Sequence, residues 1–295
     1  MTFRGDILDR YNISNKKITI RNNARILDDK IVIKNKKRDD IDDIYGYLKS
    51  RSFDYFPYPI EMNDKYEVYP YLKDMYEPYE QKAMDLMHLL SLLHSKTTFY
   101  REVDIDRNKE IYEDIEQKLE YLDGFYNDLI TRIEKEVYMS PSSYLIARNI
   151  NIIFGSIYYA RDSLDKWYEK VRNNKNERVV NIHNNINLDH YLKSDKPYLI
   201  SWNNSKIDSP IYDLLSFYKN HYLDFDFDDL FNYYESKYPL LKEEKLLLYI
   251  LISIPNDIHF TNNEIENCKN CKNMIDRIYK TEVLIFKNTK EGNTE

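Results

Sequence analysis

The sequence predicts an α+β protein in which a small antiparallel sheet precedes a large, mainly helical region. Three observations carry that prediction. Short β-rich runs separated by turn residues crowd the chain before Lys73. Long helical periodicities dominate from Pro78 onward. Late in the chain, residues 178–217 run from an apolar strand through a polar loop, a short hairpin and a second polar loop into a helix.

Taken in order, the chain opens on a mixed segment with a short helix expected around Asp6 to Tyr11. Ile18-Thr19-Ile20, Arg25-Ile26-Leu27 and Ile31-Val32-Ile33 then read as strands, because β-branched runs alternate with Asn22-Asn23 and Asp28-Asp29. A helix is expected from about Asp39 to Ser50, followed by an aromatic, proline-containing loop over Phe53 to Pro59. A hairpin turns through Asn63-Asp64 into a strand from Tyr66 toward Leu72. Residues 1–73 form the expected small β-rich region with one helix, and residues 74–295 the helical one.

In the helical region, Pro78 to Leu93 places Met84, Met87, Leu90 and Leu93 on one apolar face. Two long patterns follow over 106–136 and 141–173, interrupted at Ser140-Pro141. The first repeats Ile111, Ile115, Leu119, Leu122, Leu129 and Ile133 at spacings of three, four and seven. Helices over Leu230 to Ser236, Leu240 to Ile254 and Glu264 to Phe286 complete the region.

The stretch 178–217 is the most informative. Val179, Val180 and Ile182 end a strand, and a polar loop opens on His183. Tyr191-Leu192 and Tyr198-Leu199-Ile200 form hairpin arms around Ser194-Asp195-Lys196, and Pro210 starts a helix carrying Asp213, Leu214, Leu215 and Phe217. This stretch resembles the catalytic core of the aminoglycoside phosphotransferase and choline kinase-like family. Members carry His-Gly-Asp, four residues and an Asn, then a hairpin, Ile-Asp-Trp, and a Pro-x-x-Asp-Leu helix start. His183, Leu192, Ile200, Trp202, Pro210, Asp213 and Leu214 keep that frame. The resemblance implies a bilobal, protein kinase-like fold with mainly structural roles for His183 and Asp213.

The chemical positions differ. In the family the Asp after the loop His and Gly is the catalytic base, and the later Asn and the Asp before Trp hold magnesium. This chain has Asn185, His190 and Ser201 there. An amide cannot accept the hydroxyl proton, and loss of a base is worth roughly 10²–10⁴ in rate. Magnesium prefers hard, anionic oxygen, which imidazole and hydroxyl supply poorly. The expectation is therefore a pseudokinase with no intact catalytic residue, no resident metal and no cofactor. It would act by binding a protein partner or small molecule in the interlobe cleft. The alternative is an atypical ATP- and magnesium-dependent phosphotransferase in which Asp189 and Asp208 replace the missing acids.

Further site residues follow from the same resemblance. Lys34 closes the run Lys30-Ile-Val-Ile-Lys34 as the family's nucleotide-facing strand lysine does, and Asp43 on the next helix is its expected acidic partner. Tyr69 and Tyr71 flank Pro70 at the expected hinge, whose backbone groups would pair with adenine. Proline supplies no N–H there. The expected phosphate loop, Arg21 to Arg25, contains no glycine, so close wrapping of phosphates is disfavoured.

Composition narrows the classes further. A net charge of −7 argues against a general nucleic-acid binder. The apolar run Leu246 to Ile254 is far shorter than the ~18 residues a membrane span needs, and no signal peptide is read, so the expected location is cytoplasmic. Abundant Asn, Lys, Ile and Tyr fit an AT-rich genome. Cys268 and Cys271 form a lone Cys-x-x-Cys without further ligands, read as incidental thiols. The Asp-rich stretch Leu223 to Asp229 lacks the glycine of a calcium loop and reads as a helix start. His94 reads as a structural histidine.

Overall fold

The β-branched runs near the start of the chain form strands β1 (Ile18–Arg21), β2 (Ala24–Leu27) and β3 (Ile31–Asn35). The computed structural model describes residues 18–21, 24–103 and 105–291. The helix expected at Asp6 to Tyr11, and the Asn22-Asn23 pair of the expected phosphate loop, lie outside them. Asp28 and Asp29, at φ 48° and 52°, reverse the chain between β2 and β3, closed by a bond from the Lys30 N–H to the Leu27 carbonyl. Short polar side chains tolerate that left-handed backbone better than most. Helix α1 (Ile41–Ser50), β4 (Glu61–Met62) and β5 (Tyr66–Pro70) follow.

These strands make one antiparallel sheet in the order β1-β2-β3-β5-β4. Alternation gives it two chemically distinct faces. Leu27, Ile31, Ile33, Tyr66 and Val68 form an apolar cluster on one face. Val32 and Lys34, opposite Tyr69 and Glu67 in register, fall on the other. Helix α1 buries Ile41, Tyr45 and Leu48, at spacings of four and three, and its Tyr45 meets Tyr69 of that second face.

Helix α2 (Tyr79–Thr97) is followed by β6 (Phe99–Glu102), α3 (Ile105–Ile133) and α4 (Pro141–Val171). Ser140 caps α4 by accepting from the Ser143 N–H, with Pro141 at the first helical position. Then come β7 (Asn176–Ile182), β8 (Tyr191–Lys193), β9 (Pro197–Leu199) and β10 (Lys206–Asp208). Helices α5 (Ile211–His221), α6 (Phe227–Lys237), α7 (Lys242–Ser253) and α8 (Glu264–Glu291) complete the described chain. Strands β6 and β10, which join β7 in the order β10-β7-β6, were not expected. They are short, and half or more of their residues are exposed, so they carry little hydrophobic pattern.

The chain divides into two compact units. Among the described residues, one contains those up to Thr97 together with His183–Lys206; the other contains those from Thr98 to Ile182 and from Ile207 to Glu291. The division therefore falls at Thr97, not at the residue 73 expected from the sequence, because α2 and the late hairpin are tied to the sheet unit. Lys193 of β8 bonds Asp85 of α2 at 2.9 Å and also pairs with Glu77. The Met75 N–H donates to the Lys193 carbonyl, and the Leu199 N–H to the Tyr55 carbonyl. In the second unit α4 packs against α3, α7 and α8, burying Ile153, Ile157, Leu164 and Trp167. No helix among the described residues is long and apolar enough to cross a membrane.

Candidate functional site

The loop that follows β7 is built from the inside outward. His183 is fully buried, and its Nε2–H donates to the Ile200 carbonyl at 2.9 Å. A carbonyl can only accept, so that contact fixes the donor nitrogen. Its ring stands edge-on to Trp202, centroids 4.9 Å apart. Phe53 and Phe56 approach the same indole from the aromatic loop, at 6.1 and 6.2 Å, and Trp202 Nε1–H donates to the Leu199 carbonyl. These contacts anchor the end of the hairpin at Leu199 and Ile200.

Asn184, in the place of the glycine in His-Gly-Asp, has a left-handed backbone at φ 57°. The backbone carbonyl of Asn185 accepts from His190 Nδ1–H at 2.7 Å. His190 ends a short 3₁₀ turn, Leu188–His190, and its own carbonyl accepts from the Ile200 N–H. Two of the three altered positions are thus joined by one hydrogen bond.

The third, Ser201, also has a left-handed backbone, φ 72° and ψ 52°. Its hydroxyl accepts from Lys34 Nζ at 3.1 Å. Arg38 holds the residues just beyond: its Nη1 donates to the carbonyls of Asn203 and Ser205, while Asp40 takes the remaining nitrogens at 2.6 and 2.7 Å. Hydrogen bonding to Asp40 raises the Arg38 pKa. Two cations thus fix the loop after Ile200 to strand β3 and the turn beyond it.

Lys34 is half-buried. Desolvation lowers its pKa; Glu67 opposes that shift and Lys37 reinforces it. Glu67 lies directly across from it in the β3–β5 register and is 1% exposed. One carboxylate oxygen accepts from the Tyr69 hydroxyl at 2.8 Å, and the Tyr69 and Tyr45 hydroxyls are 3.1 Å apart. Since Tyr69 gives its proton to Glu67, Tyr45 donates to Tyr69. Burial raises both tyrosine pKa values, so both remain neutral donors. The Lys34 ammonium lies 5.6 Å from the Tyr69 ring centroid.

No protein-family profile and no curated protein matches the sequence. Solved structures do match. An aminoglycoside phosphotransferase from Alicyclobacillus acidocaldarius aligns over 96% of this chain and 93% of its own, at 9% identity and a TM-score of 0.70. The AMP-bound spectinomycin phosphotransferase APH(9)-Ia aligns over 95% and 96%, at 17% identity and a TM-score of 0.58. The chain has the aminoglycoside phosphotransferase fold. The kinase-like α+β class expected from the sequence, with its antiparallel sheet and mainly helical remainder, is the class observed.

Within this phosphotransferase fold the expected site residues are distributed unevenly. Lys34 and Ser201 are brought together, as are Asn185 and His190. Asp43 is not brought to Lys34. It is exposed in the first turn of α1, between the buried Ile41 and Tyr45, and the two form no ion pair. Tyr69 lies inside β5 with a buried side chain, and the Tyr71 N–H is bonded to the Lys30 carbonyl at 2.9 Å. Asp213 is fully buried in the first turn of α5, and His94 on α2. Asp189 is exposed on the 3₁₀ turn, whereas Asp208, in the other unit, accepts from Arg107 at 2.6 Å. Cys271 is buried and its thiol is pushed up to about 11 by desolvation. Glu67, Tyr45 and Arg38 were missed. A glutamate inside the otherwise apolar run Tyr66 to Tyr69 was the available signal for the first.

Proposed function

We propose that this phosphotransferase-fold protein does not transfer phosphate by the family's route and acts instead by binding a partner. Ser201 carries the reading. At the position where a carboxylate would face magnesium stands a hydroxyl that already accepts a hydrogen bond from the Lys34 ammonium. An added divalent cation would meet a positive charge rather than a negative one at that oxygen. Neither Asn185 nor His190 can supply a negative charge, and their mutual bond involves the Asn185 backbone carbonyl rather than an acid. The residues at these positions fit magnesium poorly. Base recognition is poorly served as well, because Pro70 has no N–H and that of Tyr71 is committed to Lys30.

The test is thermal unfolding with millimolar ATP, in magnesium and in EDTA. A ligand present at a hundred times its dissociation constant stabilises by about 2.7 kcal/mol. The expected result is no magnesium-dependent shift. A shift that requires magnesium, accompanied by ATP turnover, would overturn the proposal and return Asp189 and Asp208 to consideration. A shift equal in EDTA would identify the bound ligand as a metal-free nucleotide and leave the loss of transfer intact.

A further inference from the structure

Lys34 needs an anionic partner, because an ammonium removed from water without one is costly. The helix that follows its strand offers Asp42 and Asp43 in its first turn, yet both are exposed. The residue directly opposite Lys34 across the β3–β5 ladder is Glu67, and directly opposed side chains in an antiparallel pair share a face. Glu67 is almost completely buried, and its Oε1 has no hydrogen-bond partner among the described residues. The register places Lys34 on the same face as this buried acid, directly across the ladder from it.

We infer that Glu67 of β5, rather than any acid of helix α1, is the counter-charge that positions Lys34 toward Ser201. The helix takes part only indirectly. Tyr45 of α1 donates to Tyr69, Tyr69 donates to Glu67, and Glu67 faces Lys34 across the ladder. An ion pair between helix and strand would make the lysine's position depend on the helix. An acid on the neighbouring strand keeps the lysine in place whenever the sheet is formed, with two tyrosine hydroxyls as the remaining link to α1. Glu67 would hold Lys34 in this way in an active phosphotransferase and in an inactive one alike.

The groups acting on the ammonium are Glu67 from β5, Lys37 beyond the end of β3, the Tyr69 ring and the Ser201 hydroxyl. Their balance is measurable. In protein labelled with ¹³Cε-lysine, the Lys34 signal is the one absent from Lys34→Arg, and its shift against pH gives its midpoint. Glu67→Gln should lower that midpoint by about one unit, a tenfold change in the protonation equilibrium, while the other lysines titrate as before. Glu67→Asp should restore part of the shift, and Asp43→Asn should leave the midpoint where it was. An unchanged midpoint in Glu67→Gln, or a changed one in Asp43→Asn, overturns the inference. If Glu67→Gln does not fold, Lys34→Met combined with Glu67→Gln decides. Recovery of folding supports the pairing, because the uncompensated ammonium was then the fault, and failure of the double variant overturns it.

Discussion

The two faces of the five-stranded sheet are made by alternate residues of the same strands, yet they follow different rules. On one face Ile31 and Ile33 meet Tyr66 and Val68 in an apolar cluster that asks only for volume and dryness. On the other, one residue out of phase, Lys34, Glu67 and Tyr69 are drawn into a polar arrangement with Tyr45 and Ser201. Burial without charge is the easier arrangement. The second face keeps its ions and hydroxyls at an energetic cost, which marks it as the side of the sheet under a constraint other than stability.

The largest effect should come from the apolar face. Ile31→Ala removes buried methylene and methyl groups from a residue 4% exposed and should destabilise by about 2–5 kcal/mol. Its urea midpoint should fall while the titration of Lys34 stays unchanged. If Ile31→Ala also moved the Lys34 midpoint, the faces would not be independent and the contrast would fail.

Next in size is Tyr69→Phe. It deletes the hydroxyl that donates to the buried Glu67 carboxyl and should cost about 1–3 kcal/mol. Tyr45→Phe removes a bond between two neutral hydroxyls and should cost less, about 0.5–1.5 kcal/mol. Chemical denaturation of both variants checks the order. Equal losses would mean that the hydroxyl chain is stabilised mainly at its helix end.

This division between faces also explains what the sequence disclosed. Strands with β-branched runs, the long helices and the frame from His183 to Leu214 were legible, because each depends on local pattern or short spacing. Lys34 drew notice because it closes the apolar run Ile31 to Ile33, and Ser201 because it precedes Trp202. Glu67 was not. In Tyr66-Glu67-Val68-Tyr69 a polar residue between apolar ones ordinarily points to solvent, whereas Tyr45 from α1 and the Ser201 loop come to that side of the sheet from elsewhere in the sequence. Asp43 is exposed for the complementary reason: helical position in sequence does not say which face the sheet will cover. Strands β6 and β10 were too short and too exposed to leave a pattern.

Lys34 should leave a signature in the dependence of stability on pH. Burial lowers its folded pKa below the ordinary 10.5, so between those two values the unfolded chain binds more protons than the folded one. Stability due to this group therefore rises with pH across that window. Stability differences between the parent and Lys34→Met, measured by urea unfolding from neutral pH upward, should move in the parent's favour as pH approaches 10.5. A difference moving the other way would mean that pairing with Glu67 outweighs desolvation.

The smallest effect should be that of Asp43→Asn, and its smallness is informative. Asp43 is exposed in the first turn of α1, where a negative charge interacts favourably with the helix N-terminus. That interaction is worth about 0.3–1 kcal/mol and is screened by salt. Asn keeps the shape and loses the charge, so the destabilisation should stay within that range at low ionic strength and shrink in 1 M salt. Loss of a buried partner of Lys34 would look different: it would exceed about 3 kcal/mol and persist in salt, because buried charges are little screened. A large, salt-resistant loss would place the acid of the polar face on the helix, and the sheet would then hold its lysine only through contacts made from above.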